Sequence, residues 1–166
     1  IPFSSAAFVQ MPLTDDYDMA EMFLDTIDAS LISGGGTDIK QAVMLAASSF
    51  KAGSGKSKKI IIFSDGEELE SSIDINEISK IAGGGTEIIC VGVGTKEGGA
   101  VPELDEYGNS SGFKRDENGN IVISKLDENS LKEIAAAGKG KYYLSSFNGS
   151  EIEKIEKEIT DNTEVD

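Results

Sequence analysis

Lys58-Lys59-Ile60-Ile61-Ile62-Phe63-Ser64-Asp65-Gly66-Glu67-Glu68 runs from two charges through an unbroken apolar segment into an acidic turn. Successive apolar residues rich in isoleucine suit a strand covered on both faces, the pattern of a parallel sheet flanked by helices. Asp65 then stands at the carboxyl end of that strand. Ligands of open α/β sheets gather at this end, so a carboxylate there is placed for chemistry or metal binding rather than for packing. Upstream, Ser33-Gly34-Gly35-Gly36-Thr37-Asp38-Ile39 is its expected partner. The glycines allow a tight loop, and Thr37 or Asp38 sits where a helix begins.

The pattern on either side of the strand repeats helix and strand. Upstream, Ile39, Val43, Ala46, Ala47 and Phe50 form one apolar stripe of a helix that Gly53-Ser54-Gly55 closes. Before it, Thr14-Asp15-Asp16 opens a helix with Tyr17, Ala20, Phe23, Leu24 and Ile27 at helical spacing. Residues 1–11 read as two short strands around a Ser4-Ser5-Ala6 turn, ended by Pro12. Downstream, Asp74 and Glu77 form a capping box, Gly83-Gly84-Gly85 stops the helix, and residues 87–93 make a second buried strand. A loop-like stretch from Gly94 to Gly112 leads to a hairpin over residues 113–124, turning at Asn118-Gly119. Asp127 caps a further helix, residues 141–144 form a last strand, and Ser150 with Glu153 caps a final helix. The expected fold is a single α/β domain over residues 1–160, a doubly wound, mostly parallel sheet with an inserted hairpin at about 113–124 and a polar tail at 161–166.

Charge narrows the partners. Acidic residues outnumber basic ones 30 to 15, for a formal charge of -15, which repels nucleic acid and anionic bilayers. Arg115 is the one arginine, so no guanidinium cluster clamps phosphates. The absence of histidine removes Ser-His-Asp and Cys-His catalysis and imidazole-based zinc sites. Cys90, alone in Ile88-Ile89-Cys90-Val91, reads as a small buried hydrophobe. No apolar run approaches the roughly 18 residues of a membrane span, so the chain as it stands is expected to be soluble.

Two motifs need weighing. Gly53-Ser54-Gly55-Lys56-Ser57 looks like half a phosphate loop, but Phe50 stands where its first glycine belongs and the segment leads from helix to strand, the reverse of a P-loop. Asp65 alone is an ordinary turn aspartate; combined with the Gly-Gly-Thr-Asp loop it points to a metal site. Glu67, Glu68 and Glu70 read as a solvated rim, and Asp38 as either a first-turn acid or a supporting partner of the site. A Mg²⁺-dependent phosphohydrolase or nucleotide-binding Rossmann enzyme using Asp65 is the rival reading. It lacks the Gly-x-Gly-x-x-Gly fingerprint, and Gly66-Glu67 follows where a phosphatase shows a second aspartate. No nucleophile with a base beside it is evident, so no enzyme is expected.

The run from Phe3 to Tyr17, the Gly-Thr-Asp loop, the Phe63-Ser64-Asp65-Gly66-Glu67 turn, and Val91-Gly92-Val93-Gly94-Thr95 resemble the von Willebrand factor A domain. More narrowly, they resemble the BatA/BatB type of the aerotolerance-associated Bat family, as do Gly112-Phe113-Lys114 through Leu126-Asp127 and Gly140-Lys141-Tyr142-Tyr143. The resemblance implies a metal-ion-dependent adhesion site in which Thr37 and Asp65 join an Asp-x-Ser-x-Ser loop. There Mg²⁺, or Mn²⁺ or Ca²⁺, would bridge to an acidic side chain of a partner protein. It also implies membrane spans flanking the domain, an inner-membrane anchor in a bacterial cell envelope, and a periplasmic position.

No Asp-x-Ser-x-Ser occurs in this sequence. A strand, a crossover helix and most of a second strand are expected to precede residue 1, and their absence leaves the metal site incomplete and metal binding weak or lost. It also leaves the central strand with a bare edge, which is a template for pairing. Either residues 1–11 fill the vacancy or two copies cover each other's edge as a homo-oligomer; Pro2 and Pro12 favour self-association.

Overall fold

The computed structural model describes residues 1–27, 36–50, 57–67, 74–105 and 109–160. Five helices and seven strands follow one another among them: α1 (Tyr17–Asp25), α2 (Ile39–Ser48), β1 (Lys58–Ser64), α3 (Ile75–Gly83) and β2 (Thr86–Gly92) come first. The short strands β3 (Gly99–Ala100), β4 (Pro102–Leu104), β5 (Ser110–Phe113) and β6 (Ile123–Ser124) follow, then α4 (Glu128–Ala137), β7 (Lys139–Leu144) and α5 (Ile152–Thr160). β1, the isoleucine strand, pairs in parallel with β2 from Lys58 opposite Thr86 to Ser64 opposite Gly92. β7 extends the sheet beyond β2, again in parallel, giving the order β1-β2-β7. The expected α/β architecture with a parallel sheet is therefore the observed one.

Aspartates start four of the helices. Asp16, Asp38, Asp74 and Asp127 each accept a backbone N–H of the first turn, which satisfies donors that a helix start otherwise leaves unpaired. The core then assembles on one face of the sheet. Ile60, Ile62, Ile88 and Cys90 meet Ile39 and Val43 of α2, Ile78 of α3, and Leu131 and Ile134 of α4, all buried. On the opposite face, Lys59 Nζ donates to the Glu158 carbonyl of α5 at 2.7 Å and pairs with Glu87. Lys141 of β7 pairs with Glu158 as well, so α5 is tied to both outer strands of the sheet.

Four local expectations are corrected. Residues 1–11 form no strand pair beyond a single Phe3–Ala7 bridge, because among the described residues no ladder joins them to the sheet. Helix α1 forms where its spacing predicts, yet it buries no residue; Tyr17 is 82% exposed and Leu24 66%. The insertion is larger than one hairpin. The Asn118-Gly119 turn is present, with Asp116 N–H bonded to the Asn120 carbonyl, but only Arg115 and Ile121 bridge beside it. The ladders are β3 with β6 and β4 with β5, so the excursion begins at Gly99, inside the stretch expected to be loop. Finally, the start of α5 is organised by Glu151, whose carboxylate accepts both the N–H and the hydroxyl of Ser146, in place of the Ser150–Glu153 box. Ser33 to Gly35, Gly53 to Lys56, Glu68, Glu70 and the 161–166 tail lie outside the described residues.

Candidate functional site

The ladder of β1 ends as Val93 N–H bonds to the Ser64 carbonyl, and the chain turns at Asp65. Gly66 has φ +77°, and a Cβ there would lie 2.5 Å from the Asp127 carbonyl oxygen and 2.9 Å from Leu131 Cγ. Only glycine lets the turn press this closely on the start of α4. The consequence is a fixed aspartate. Asp127 N–H donates to the Asp65 carbonyl at 2.7 Å, Glu67 N–H to Asp65 Oδ1 at 3.1 Å, and Ser124 Oγ to Asp65 Oδ2 at 2.8 Å. The half-buried Asp65 thus joins the central strand, α4 and the last strand of the insertion. Asp127 is held as a carboxylate below its ordinary range by the Ser130 hydroxyl, which keeps this cap charged.

Thr37 is half-buried, one residue before the cap of α2. The cap itself is Asp38, whose Oδ1 accepts Gln41 N–H at 2.8 Å, so its carboxylate serves the helix. Asp38 N–H donates to the Ser4 carbonyl at 2.7 Å and Gln41 Oε1 accepts Ala7 N–H at 2.7 Å, which stitches this loop to the N-terminal turn. α2 packs against β1 in the core and the two are joined end to start, so α2 begins on the side where β1 finishes. That topology directs Thr37 and Asp65 to the carboxyl side of the sheet. Glu67 stands half-buried next to Asp65, to which its N–H donates.

Ser124 stands in the sequence only as the end of the expected hairpin, with nothing there to tie it to Asp65. Its signal is weak: a serine 59 positions from Asp65 reaches it only because β6 pairs with β3, and neither short strand has an apolar alternation that marks it.

Among the described residues, Thr37 and Asp65 do not by themselves make a cation site. Mg²⁺ takes six oxygens in near-octahedral geometry. Thr37 and Asp65 supply one hydroxyl and one carboxylate, both carboxylate oxygens already accept hydrogen bonds, and no group of three or more acidic, histidine or cysteine side chains among the described residues is placed to hold a metal.

A parallel sheet with helices on both faces and an acidic turn at its carboxyl end defines a doubly wound α/β domain. The chain belongs to the von Willebrand factor type A domain family, whose model matches residues 1–158 and whose domains typically serve protein interaction. Within that family it is similar to the conserved hypothetical protein BatB from Bacteroides thetaiotaomicron, with 36% identity and a TM-score of 0.86, over 96% of this chain and 75% of that one. It is equally similar to an aerotolerance-related membrane protein from Bacteroides fragilis, with 35% identity and a TM-score of 0.85, over 96% of this chain and 76% of that one. No curated protein matches the chain.

Proposed function

We propose that this protein is an interaction module that meets its partner at the carboxyl end of the sheet, with Thr37 and Asp65 at the centre of the contact. The supporting observation is the half-exposed Asp65 carboxylate, held in one orientation by Glu67 N–H and Ser124 Oγ at the end of the central strand. A preorganised acceptor of this kind costs little to order on binding. In the family's manner of contact a divalent cation, Mg²⁺ or else Mn²⁺ or Ca²⁺, joins such a face to an acidic side chain of the partner. With one hydroxyl and one carboxylate this chain is expected to hold the ion weakly, the other oxygens coming from water or from elsewhere. Phosphohydrolysis at Asp65 is disfavoured, since its carboxylate is engaged by Ser124 and the adjoining turn offers Gly66-Glu67 in place of a second aspartate.

The domain is taken to span residues 1–160 with the insertion as part of it. Its proposed setting is a bacterial cell envelope, on the periplasmic side of an inner membrane, supported by the membrane-protein name of the Bacteroides fragilis structure. No helix of the described residues is itself long and apolar enough to cross a membrane. The test is a photo-crosslinking amino acid introduced at Glu67, and in parallel at the exposed Lys154, in the native host. Adducts of a defined protein at position 67, absent at 154 and lost with Asp65→Asn, are expected. Equal labelling from both positions would contradict a contact at the carboxyl end.

A further inference from the structure

Three short antiparallel pairs meet at one point of the insertion: β3 with β6, β4 with β5, and the Arg115–Ile121 bridge beside the Asn118-Gly119 turn. A triangle of backbone bonds closes the junction. Val101 N–H donates to the Val122 carbonyl at 3.0 Å, Val122 N–H to the Lys114 carbonyl at 2.8 Å, and Lys114 N–H to the Val101 carbonyl at 2.9 Å. The residues on either side of these three pair with one another: Ala100 with Ile123, Pro102 with Phe113, and Arg115 with Ile121. All six therefore share one face, because side chains alternate along an extended chain and directly paired residues stand on the same side. Val101, Lys114 and Val122 take the reverse, where both valines are half-buried.

The six-residue face is apolar and open. Phe113 is 49% exposed, Ile123 46% and Ile121 41%, with Pro102 exposed beside them. The solvated face of an antiparallel pair ordinarily carries polar side chains, so this one is inverted, and a contiguous exposed apolar patch marks a contact surface. Charge says what it contacts. Arg115 is the one arginine of the chain, and among the described residues no carboxylate pairs with it, although the sequence holds 30 acids. The neighbouring Asp116 is engaged in the turn, its Oδ1 accepting the Asn118 and Asn120 N–H groups at 2.9 and 2.8 Å and its Oδ2 the Asn120 side-chain amide at 3.1 Å. Arg115 Nη1 donates to the Gly119 carbonyl at 2.7 Å, which holds the guanidinium in place and leaves its other donors for a carboxylate from outside. A chain of net charge -15 repels an acidic partner, an anionic bilayer and a second copy of itself over most of its surface, so an acid is admitted where this unpaired cation lies.

We propose that this face of the insertion is a docking surface for a partner-protein segment in which apolar side chains flank an acidic one, the apolar groups seated on Phe113, Ile121 and Ile123 and the carboxylate on Arg115. Aromatic and arginine side chains are the usual anchors of such contacts. The surface does not rest on the contact proposed at Asp65, and the Asp65→Asn variant separates the two. The probe is the blocked peptide Leu-Phe-Glu-Leu-Ser-Ser, with Leu-Phe-Gln-Leu-Ser-Ser as its neutral twin, titrated into the isotope-labelled intact protein. Amide shifts centred on residues 100–102, 113–115 and 121–123 are expected, with the glutamate peptide bound about fivefold more tightly than its twin, the scale of one exposed ion pair. Arg115→Gln is expected to erase that preference while both peptides still bind, and Phe113→Ser to weaken both by about tenfold. Asp65→Asn is expected to change neither. No saturable shifts up to the solubility of the peptides, equal binding of the twins, or shifts lost with Asp65→Asn would overturn the proposal. So would flotation of the protein with phosphatidylglycerol vesicles, or a dimer in sedimentation, that Phe113→Ser abolishes, since either would assign the face to a membrane or to a second copy.

Discussion

Replacing Gly66 with alanine is the most informative single perturbation of the site, because it acts on the junction of β1, α4 and Asp65 without touching a functional group. The left-handed φ of +77° costs a side chain roughly 1–2 kcal/mol. The new Cβ would meet the Asp127 carbonyl oxygen at 2.5 Å, a backbone atom of a capped helix, and Leu131 Cγ at 2.9 Å, in the fully buried core. Relieving such an overlap costs roughly 1–3 kcal/mol more. Gly66→Ala is therefore expected to destabilise the domain by about 2–5 kcal/mol, a large part of the roughly 5–15 kcal/mol available. Urea unfolding followed by circular dichroism reads it as a lower midpoint at unchanged slope. Gly83→Ala is the control: nothing lies within 4 Å of its Cβ position, so a gain of about 0.4–1 kcal/mol is expected in the helix. A Gly66→Ala variant within about 0.5 kcal/mol of the parent would refute the close packing of the turn on α4.

Ser124→Ala removes the hydroxyl that holds Asp65 Oδ2; a stability loss of about 1 kcal/mol is expected, with faster hydrogen exchange confined to residues 99–124 and the Asp65 turn. The Ser146 hydroxyl and N–H hold the Glu151 carboxyl at about 2, below its ordinary 4.5, so its stabilising effect is complete above pH 4.5 and is lost as pH falls toward 2. Glu151→Gln should accordingly differ from the parent most at neutral pH, with the two melting curves converging on acidification; a gap that widens instead would contradict the capping role. Burial pushes the Cys90 thiol up to about 12, so a thiol reagent at pH 8 is expected to leave it unmodified in the native protein and to label it at once in denaturant.

The architecture was legible wherever a segment's own chemistry decides its structure. Three consecutive isoleucines before Ser64-Asp65 leave little alternative to a buried strand ending in an acidic turn, and aspartates at 16, 38, 74 and 127 mark helix starts by the hydrogen bonds they accept. What was not legible depends on partners distant in sequence. Tyr17, Leu24 and Ile27 have helical spacing and are all exposed, because burial is a property of what stands opposite; opposite Tyr17 is an open cleft. The strand pairs β3–β6 and β4–β5 are two to four residues long, too short for alternation to register, while the conspicuous Asn118-Gly119 turn drew attention to the tip of the excursion rather than its base. Of the site, Asp65 was evident from its place after the strand. The start of α2 was evident at Thr37 or Asp38, and the bond from Gln41 N–H assigns the cap to Asp38; Ser124 depends on the folded register alone.

The claim that Thr37 and Asp65 face one contact site at the carboxyl end of the sheet is most directly tested by paramagnetic broadening. Substoichiometric Mn²⁺, which reports even weakly held positions, is added to the isotope-labelled protein and amide signals are compared with those of Asp65→Asn. Broadening strongest at residues 36–38 and 64–67, and absent from those residues in the variant, is expected. Broadening centred on another acidic stretch, or identical in parent and variant, would contradict the account.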